Sequence, residues 1–156
     1  MINLDFMRQA CLMCDFSSCG YKTGCIAVKN NKIIAKSFNE TLTGEIYCQD
    51  GFCYREKHNL RGGKDIEKVC SIHAEANLIA EAASNGVTLS GSYLYVTTFP
   101  CLICTRAIIK AGFRKVFYMS DYGKNEGIVM FKANKVGIEK IREEDIWTGQ
   151  YITKTA

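Results

Sequence analysis

The spacing of His73-Ala74-Glu75 from Pro100-Cys101-Leu102-Ile103-Cys104 constrains this chain most, because it asks two segments some two dozen residues apart to converge on one metal ion. One imidazole and two thiolates make three protein ligands. That count leaves the fourth tetrahedral position of zinc to water, whereas structural sites usually close all four positions with protein atoms. Zinc coordination lowers the pKa of water toward ~7. Glu75 stands two residues from His73 on the first turn of an expected helix, where its carboxylate can take and return a proton without being a ligand. Residues three apart on a helix face one way, so Cys101 and Cys104 can chelate together. Pro100 suits the entry to that helix, since its missing N–H costs nothing there. The free N–H groups of a helix start also favour thiolates. The apolar alternation of Tyr93-Leu94-Tyr95-Val96-Thr97 between the two motifs predicts a strand that brings both to one sheet edge.

Singly, each half of this pattern is weak. His-x-Glu arises often by chance, and C-x-x-C also serves zinc ribbons and redox pairs. A satisfied core histidine with buried packing cysteines is the bland alternative. Jointly and in order, the residues match the H-x-E…P-C-x-x-C signature of zinc nucleobase deaminases. The match extends to Cys70-Ser71-Ile72-His73-Ala74-Glu75-Ala76-Asn77, Tyr95-Val96-Thr97, Ile108-Ile109-Lys110-Ala111-Gly112 and Val116-Phe117-Tyr118-Met119-Ser120-Asp121-Tyr122. Over residues 1–142, with gaps, the chain resembles the cytidine deaminase superfamily, and more narrowly the deoxycytidylate (dCMP) deaminase family and its late-competence relatives.

The resemblance implies hydrolytic conversion of dCMP to dUMP and ammonia, with His73, Cys101 and Cys104 holding the catalytic zinc and Glu75 moving the proton. Another cytosine nucleoside or nucleotide, another aminated ring or an RNA base is the alternative within the same chemistry. A non-catalytic zinc-binding module is the alternative outside it, and the presence of Glu75 speaks against that. By resemblance Asn39 contacts the sugar, although Asn39-Glu40-Thr41-Leu42 departs from the family's Asn-Gly-x-Pro, and a structural turn asparagine is the other reading. Lys22 and Tyr122 occupy family-like positions for the phosphate, or else are surface. The family also implies self-association, in some members as hexamers. Phe113, Phe117 and Trp147 serve either an interface or a core.

Elsewhere, Phe6, Ala10 and Cys14, with Met7 and Cys11 beside them, form an apolar stripe at helical spacing that predicts a first helix over 3–14. Ile26-Ala27-Val28 and Ile33-Ile34-Ala35 flank Lys29-Asn30-Asn31-Lys32 and predict a hairpin. Periodicity is then lost in an irregular insertion at about 39–70, long for a loop without its own anchor. Four thiols, Cys48 and Cys53 within the insertion, Cys70 at its end and Cys19 before it, would close a second, structural zinc site and tie it down. Late-competence relatives carry a similar C…C-x-R…C-x-x-H pattern, here Cys48, Cys53-Tyr54-Arg55 and Cys70 to His73. His58 is a substitute donor, and ordinary buried free cysteines are the alternative. Helices over 73–84, 101–110 and 126–134 then alternate with strands at 93–97, 115–119 and 136–141. The expected architecture is one domain over 1–156 with a three-layer α/β/α cytidine deaminase-like fold and a five-stranded mixed sheet. The tail from Glu143 carries no readable pattern.

Composition narrows the setting. With 47% hydrophobic and 23% charged residues the chain is ordinary globular material, and no run approaches the ~20 apolar residues of a membrane span. Nine cysteines clustered near a histidine and in C-x-x-C pairs suit metal binding in a reducing, cytoplasmic setting better than a secreted disulfide framework. The net charge of +4 is spread along the chain, which fits a small anionic nucleotide. A nucleic-acid groove would concentrate basic residues among exposed aromatics.

Overall fold

The computed structural model describes residues 3–42, 53–60 and 70–148. Helix α1 (Leu4–Met13) opens on Asn3, whose side chain accepts a hydrogen bond from the Asp5 N–H at 3.0 Å. A single 3₁₀ turn follows at Cys14–Phe16. Strands β1 (Gly24–Lys29) and β2 (Lys32–Phe38) form the expected hairpin. Its turn places Asn30 at φ 51° and Asn31 at φ 58°, the left-handed pair that matches the twist of the flanking strands and that asparagine tolerates. The short helix α2 (Tyr54–Lys57) lies within the insertion, and α3 (Ala74–Ser84) follows it. Then come β3 (Tyr93–Thr98), α4 (Leu102–Lys110), β4 (Lys115–Ser120), α5 (Ile128–Ala133), β5 (Gly137–Lys140) and α6 (Glu143–Thr148).

The sheet runs β2-β1-β3-β4-β5, antiparallel across β2/β1/β3 and parallel across β3/β4/β5. Period-two alternation divides its side chains between two apolar cores. Cys25, Ala27, Leu94, Val96, Val116 and Tyr118 meet Leu78 of α3, Ile108 of α4 and Phe131 of α5 on one face. Ile26, Val28, Tyr95 and Phe117 meet Met7 and Ala10 of α1 and Ile146 of α6 on the other. Helices on both faces of a mixed sheet give the expected three layers. Tyr95 and Phe117 stack across the β3/β4 pair with ring centroids 4.5 Å apart. Gly24 is where α1 crosses β1 most closely: a Cβ there would lie 2.2 Å from the Ala10 carbonyl oxygen.

Several boundaries differ from the sequence reading for local reasons. His73 and Cys101 are N-caps with extended ψ of 147° and 168°, so α3 and α4 begin one residue later than the motifs suggest. Helix α5 starts only at Ile128, after the turn that ends at Gly127. The unreadable tail supplies α6, whose Ile146 is fully buried, while Phe113 and Phe117 are buried and Trp147 is exposed.

The insertion is closed at its base. Glu40 and Ile72 exchange backbone hydrogen bonds at 3.2 and 2.8 Å, and Asn77 of α3 donates to the Glu40 carboxylate at 3.0 Å and to the Phe38 carbonyl at 3.2 Å. The chain therefore leaves and re-enters the fold beside His73.

Candidate active site

Two helix starts meet at the end of β3. Thr98 pairs with Ser120, Phe99 donates its N–H to the Ser120 carbonyl at 2.8 Å, and Pro100 and Cys101 then turn the chain into α4. His73 caps α3 in the same place. Its Nδ1 lies 3.4 Å from the Cys101 Sγ and 3.6 Å from the Cys104 Sγ. A tetrahedral zinc with usual bond lengths holds its sulfur and nitrogen ligands about 3.6 Å apart, so the three donors fit this ion as they stand. Among the described residues they are the one group of three metal-ligating side chains whose donor atoms all lie within 4.8 Å.

Electrostatics in the cluster favour thiolate at Cys101. A hydrogen bond from the Cys104 thiol, reinforced by His73, holds Cys101 far below the ordinary thiol range despite its burial. The same bond, with burial, pushes Cys104 up. The Cys104 N–H also donates to the Cys101 Sγ at 3.4 Å, a helix-start contact of the kind that stabilises anionic sulfur. The hydrogen bond to Cys101 raises His73.

Glu75 is 4% exposed and stands on the first turn of α3. Burial raises its carboxyl above the ordinary range, which brings it closer to the pKa a proton shuttle needs. Glu75, His73 and Cys101 line a cavity of about 410 Å³. This lies within the roughly 300–1,000 Å³ range of small-molecule sites. Its floor is buried (Glu75, Phe99, Cys101, Asn39), and its mouth carries the more exposed Tyr21, Arg55, Asn59 and Tyr122.

Asn39 is brought into this cavity and its orientation is fixed. Its Oδ1 accepts from the Thr23 N–H at 2.7 Å and the Ser17 hydroxyl at 2.8 Å, and its Nδ2 donates to the Tyr21 carbonyl at 2.7 Å. Tyr122 also lines the cavity. Lys22 does not: although Tyr21 and Thr23 on either side of it line this cavity, Lys22 borders a separate one with Cys11, Cys14, Glu143 and Trp147. Cys19 is buried at the cavity wall with the Ser71 hydroxyl 3.9 Å away, and Cys53 and Cys70 are half-buried. These three thiols form no ligand group of their own among the described residues, and Cys48 lies outside those residues. Sequence reasoning missed Arg55 and the Ser17–Thr23 clamp on Asn39. Arg55 stood in the Cys53-Tyr54-Arg55 part of the late-competence pattern, which was read for its cysteines, and no role was given to the arginine.

Fold and site together define a class, the α/β/α zinc hydrolases in which a buried acid stands beside a His-Cys-Cys metal centre. The family model described as the cytidine and deoxycytidylate deaminase zinc-binding region matches residues 2–120, and the chain belongs to that family of zinc-dependent hydrolytic deaminases. It is similar to ComE operon protein 2 of Bacillus subtilis (strain 168), at 34% identity over 92% of this chain and 73% of that protein. It is also similar to the deoxycytidylate deaminase of Schizosaccharomyces pombe, at 34% identity over 75% of this chain and 36% of that longer protein. Among solved structures, the dCMP deaminase from cyanophage S-TIM5 in complex with dCMP and dUMP superimposes with a TM-score of 0.73. That match has 30% identity and covers 88% of this chain and 94% of that one.

Proposed function

We propose that the chain converts dCMP and water to dUMP and ammonia. The observation that carries this reading is the buried carboxyl of Glu75 facing the cavity beside three metal donors. The similarity to proteins named deoxycytidylate deaminase, one of them with dCMP and dUMP bound, supports the choice of substrate.

Zinc, when held by His73, Cys101 and Cys104, supplies a water whose pKa lies near neutrality. The chain's own residues do the rest. Glu75 accepts the proton of the attacking water and passes it to N3 of the ring, then takes the proton of the new C4 hydroxyl and delivers it to the amino group, so that the C4–N bond breaks, ammonia leaves and C4 becomes a carbonyl. The Glu75 carboxyl is suited to both directions because burial has raised it. Asn39, its oxygen already used by Ser17 and Thr23, can turn only an N–H toward the substrate and so meets a sugar hydroxyl as a donor. Phe99 is held edge-on by Tyr118 and Phe131, at centroid distances of 4.9 and 6.2 Å, and stiffens the wall that follows β3.

The test is ammonia release from dCMP, dCTP, CMP, deoxycytidine and cytidine by the zinc-loaded protein. Preference for dCMP supports the reading. Release from a different cytosine compound reassigns the substrate, and release from none of the five overturns it.

A further inference from the structure

A phosphorylated substrate must meet positive charge somewhere along the cavity, and few groups there can supply it. Among the described residues lining it, Arg55 is the one side chain with a permanent positive charge, whereas the buried floor carries the acidic Glu75. Lys22, the cation suggested by resemblance, borders the other cavity. Arg55 sits on α2, so the insertion delivers it.

Its Nη2 donates to the Tyr122 hydroxyl at 3.3 Å, across the cavity's own lining. Tyr122 is itself held by the loop after β4. Its N–H donates to the Asn125 Oδ1 at 3.0 Å, and Asn125 Nδ2 donates to Asp121 at 2.6 Å. Asp121 is in turn paired with Lys140. A guanidinium carries five N–H donors in one plane, a fork that matches the oxygens of a phosphate.

We propose that Arg55, oriented by Tyr122, reads the 5′-phosphate of the nucleotide, so that the insertion sets the preference for a nucleoside monophosphate over the free nucleoside. The proposal rests on the deaminase reading above and adds the residue that selects its substrate. Glu75, Asn39, Arg55 and Tyr122 all line the one cavity. Glu75 and Asn39 are buried whereas Arg55 and Tyr122 are partly exposed, as suits a nucleotide whose charged phosphate stays nearer solvent than its base.

The experiment uses the zinc-loaded full chain and the variants Arg55→Leu, Arg55→Lys and, as a control, Lys57→Ala. Lys57 is an exposed cation of the same helix that does not line the cavity. Isothermal titration with dUMP and with deoxyuridine gives the phosphate preference without turnover, and dCMP kinetics give KM and kcat. Losing a charge-assisted bond should lower dUMP affinity and raise the dCMP KM by roughly 10- to 150-fold, with deoxyuridine affinity and kcat changed by no more than a few-fold. Arg55→Lys should recover part of the loss, and Lys57→Ala should match the wild type.

Equal wild-type affinity for dUMP and deoxyuridine overturns the proposal, as does an Arg55→Leu protein that keeps the wild-type preference. Parallel loss of both ligands assigns Arg55 a structural role and also overturns it. Absence of ammonia release from dCMP by the wild type overturns the substrate reading instead, and the dUMP titration still decides the role of Arg55.

Discussion

At the scale of single residues, the site depends on where each charge sits. Glu75 is buried and stands outside the three-donor group, so Glu75→Gln should leave zinc content unchanged while turnover falls by roughly 10²- to 10⁴-fold, the usual worth of general acid–base help. Metal analysis beside an ammonia assay checks this, and a variant that loses zinc would show Glu75 to be structural. Thiols away from the centre predict a pH effect. Burial pushes Cys11 up to about 11 and raises Cys25 well above the ordinary range. In the unfolded chain these thiols ionise near pH ~8.5. A raised folded pKa contributes stability that is complete below that pH and is lost as pH rises toward the folded value. The urea midpoint should therefore hold between pH 7 and 8 and fall from pH 8.5 to 10.5, and Cys11→Ala should shallow that fall. A midpoint flat to pH 10.5 would count against both shifts. Asn39 shows the limit of reading residues alone. Its identity suggested a contact, but its donor and acceptor assignment came from Ser17, Tyr21 and Thr23, which no linear motif joins to it.

At the scale of elements, local chemistry and packing divide the work. The Asn30-Asn31 turn, the alternation in β3 and the stripe on α1 were legible because each is enforced by neighbours within a few residues. The start of α5 and the existence of α6 were not. Helix α6 is only Glu143–Thr148, too short for a periodic signal, and it is held by long-range contacts of Ile146 and by Arg8, whose Nε donates to the Ile146 carbonyl at 2.8 Å. Ile146→Ala should cost roughly 2–5 kcal/mol, the usual range for emptying a buried aliphatic site, read as a lowered urea midpoint with unchanged slope. Gly24→Ala should also destabilise. Its Cβ would fall 2.2 Å from the Ala10 carbonyl, so α1 must move off β1 at a cost of about 1–3 kcal/mol or more. Full stability in that variant would show that α1 is free to slide.

At the scale of the whole molecule, the metal would tie together the starts of two helices that already meet through the core and through His73 and the two thiols. His73 caps α3 while Cys101 and Cys104 belong to α4, so zinc bound by the folded state stabilises their packing against the sheet. At free zinc a thousandfold above its dissociation constant, linkage contributes about 4 kcal/mol. For a chain of 156 residues this corresponds to a melting shift of roughly 8–16 °C between zinc-loaded and chelated protein. Thermal melts with and without chelator check this, and equal melting temperatures would mean that zinc does not bind the folded chain in preference to the unfolded one.

The sequence by itself determined the alternation of elements, the three metal donors and the acid, because helix caps, strand alternation and ligand chemistry act over a few residues. Only the tertiary structure decided which polar groups share the cavity. It placed Lys22 outside, brought Arg55 in beside Tyr122, and closed the insertion through Glu40 and Ile72. Those pairings join residues far apart in sequence, and the position of each depends on the helices and strands packed between them.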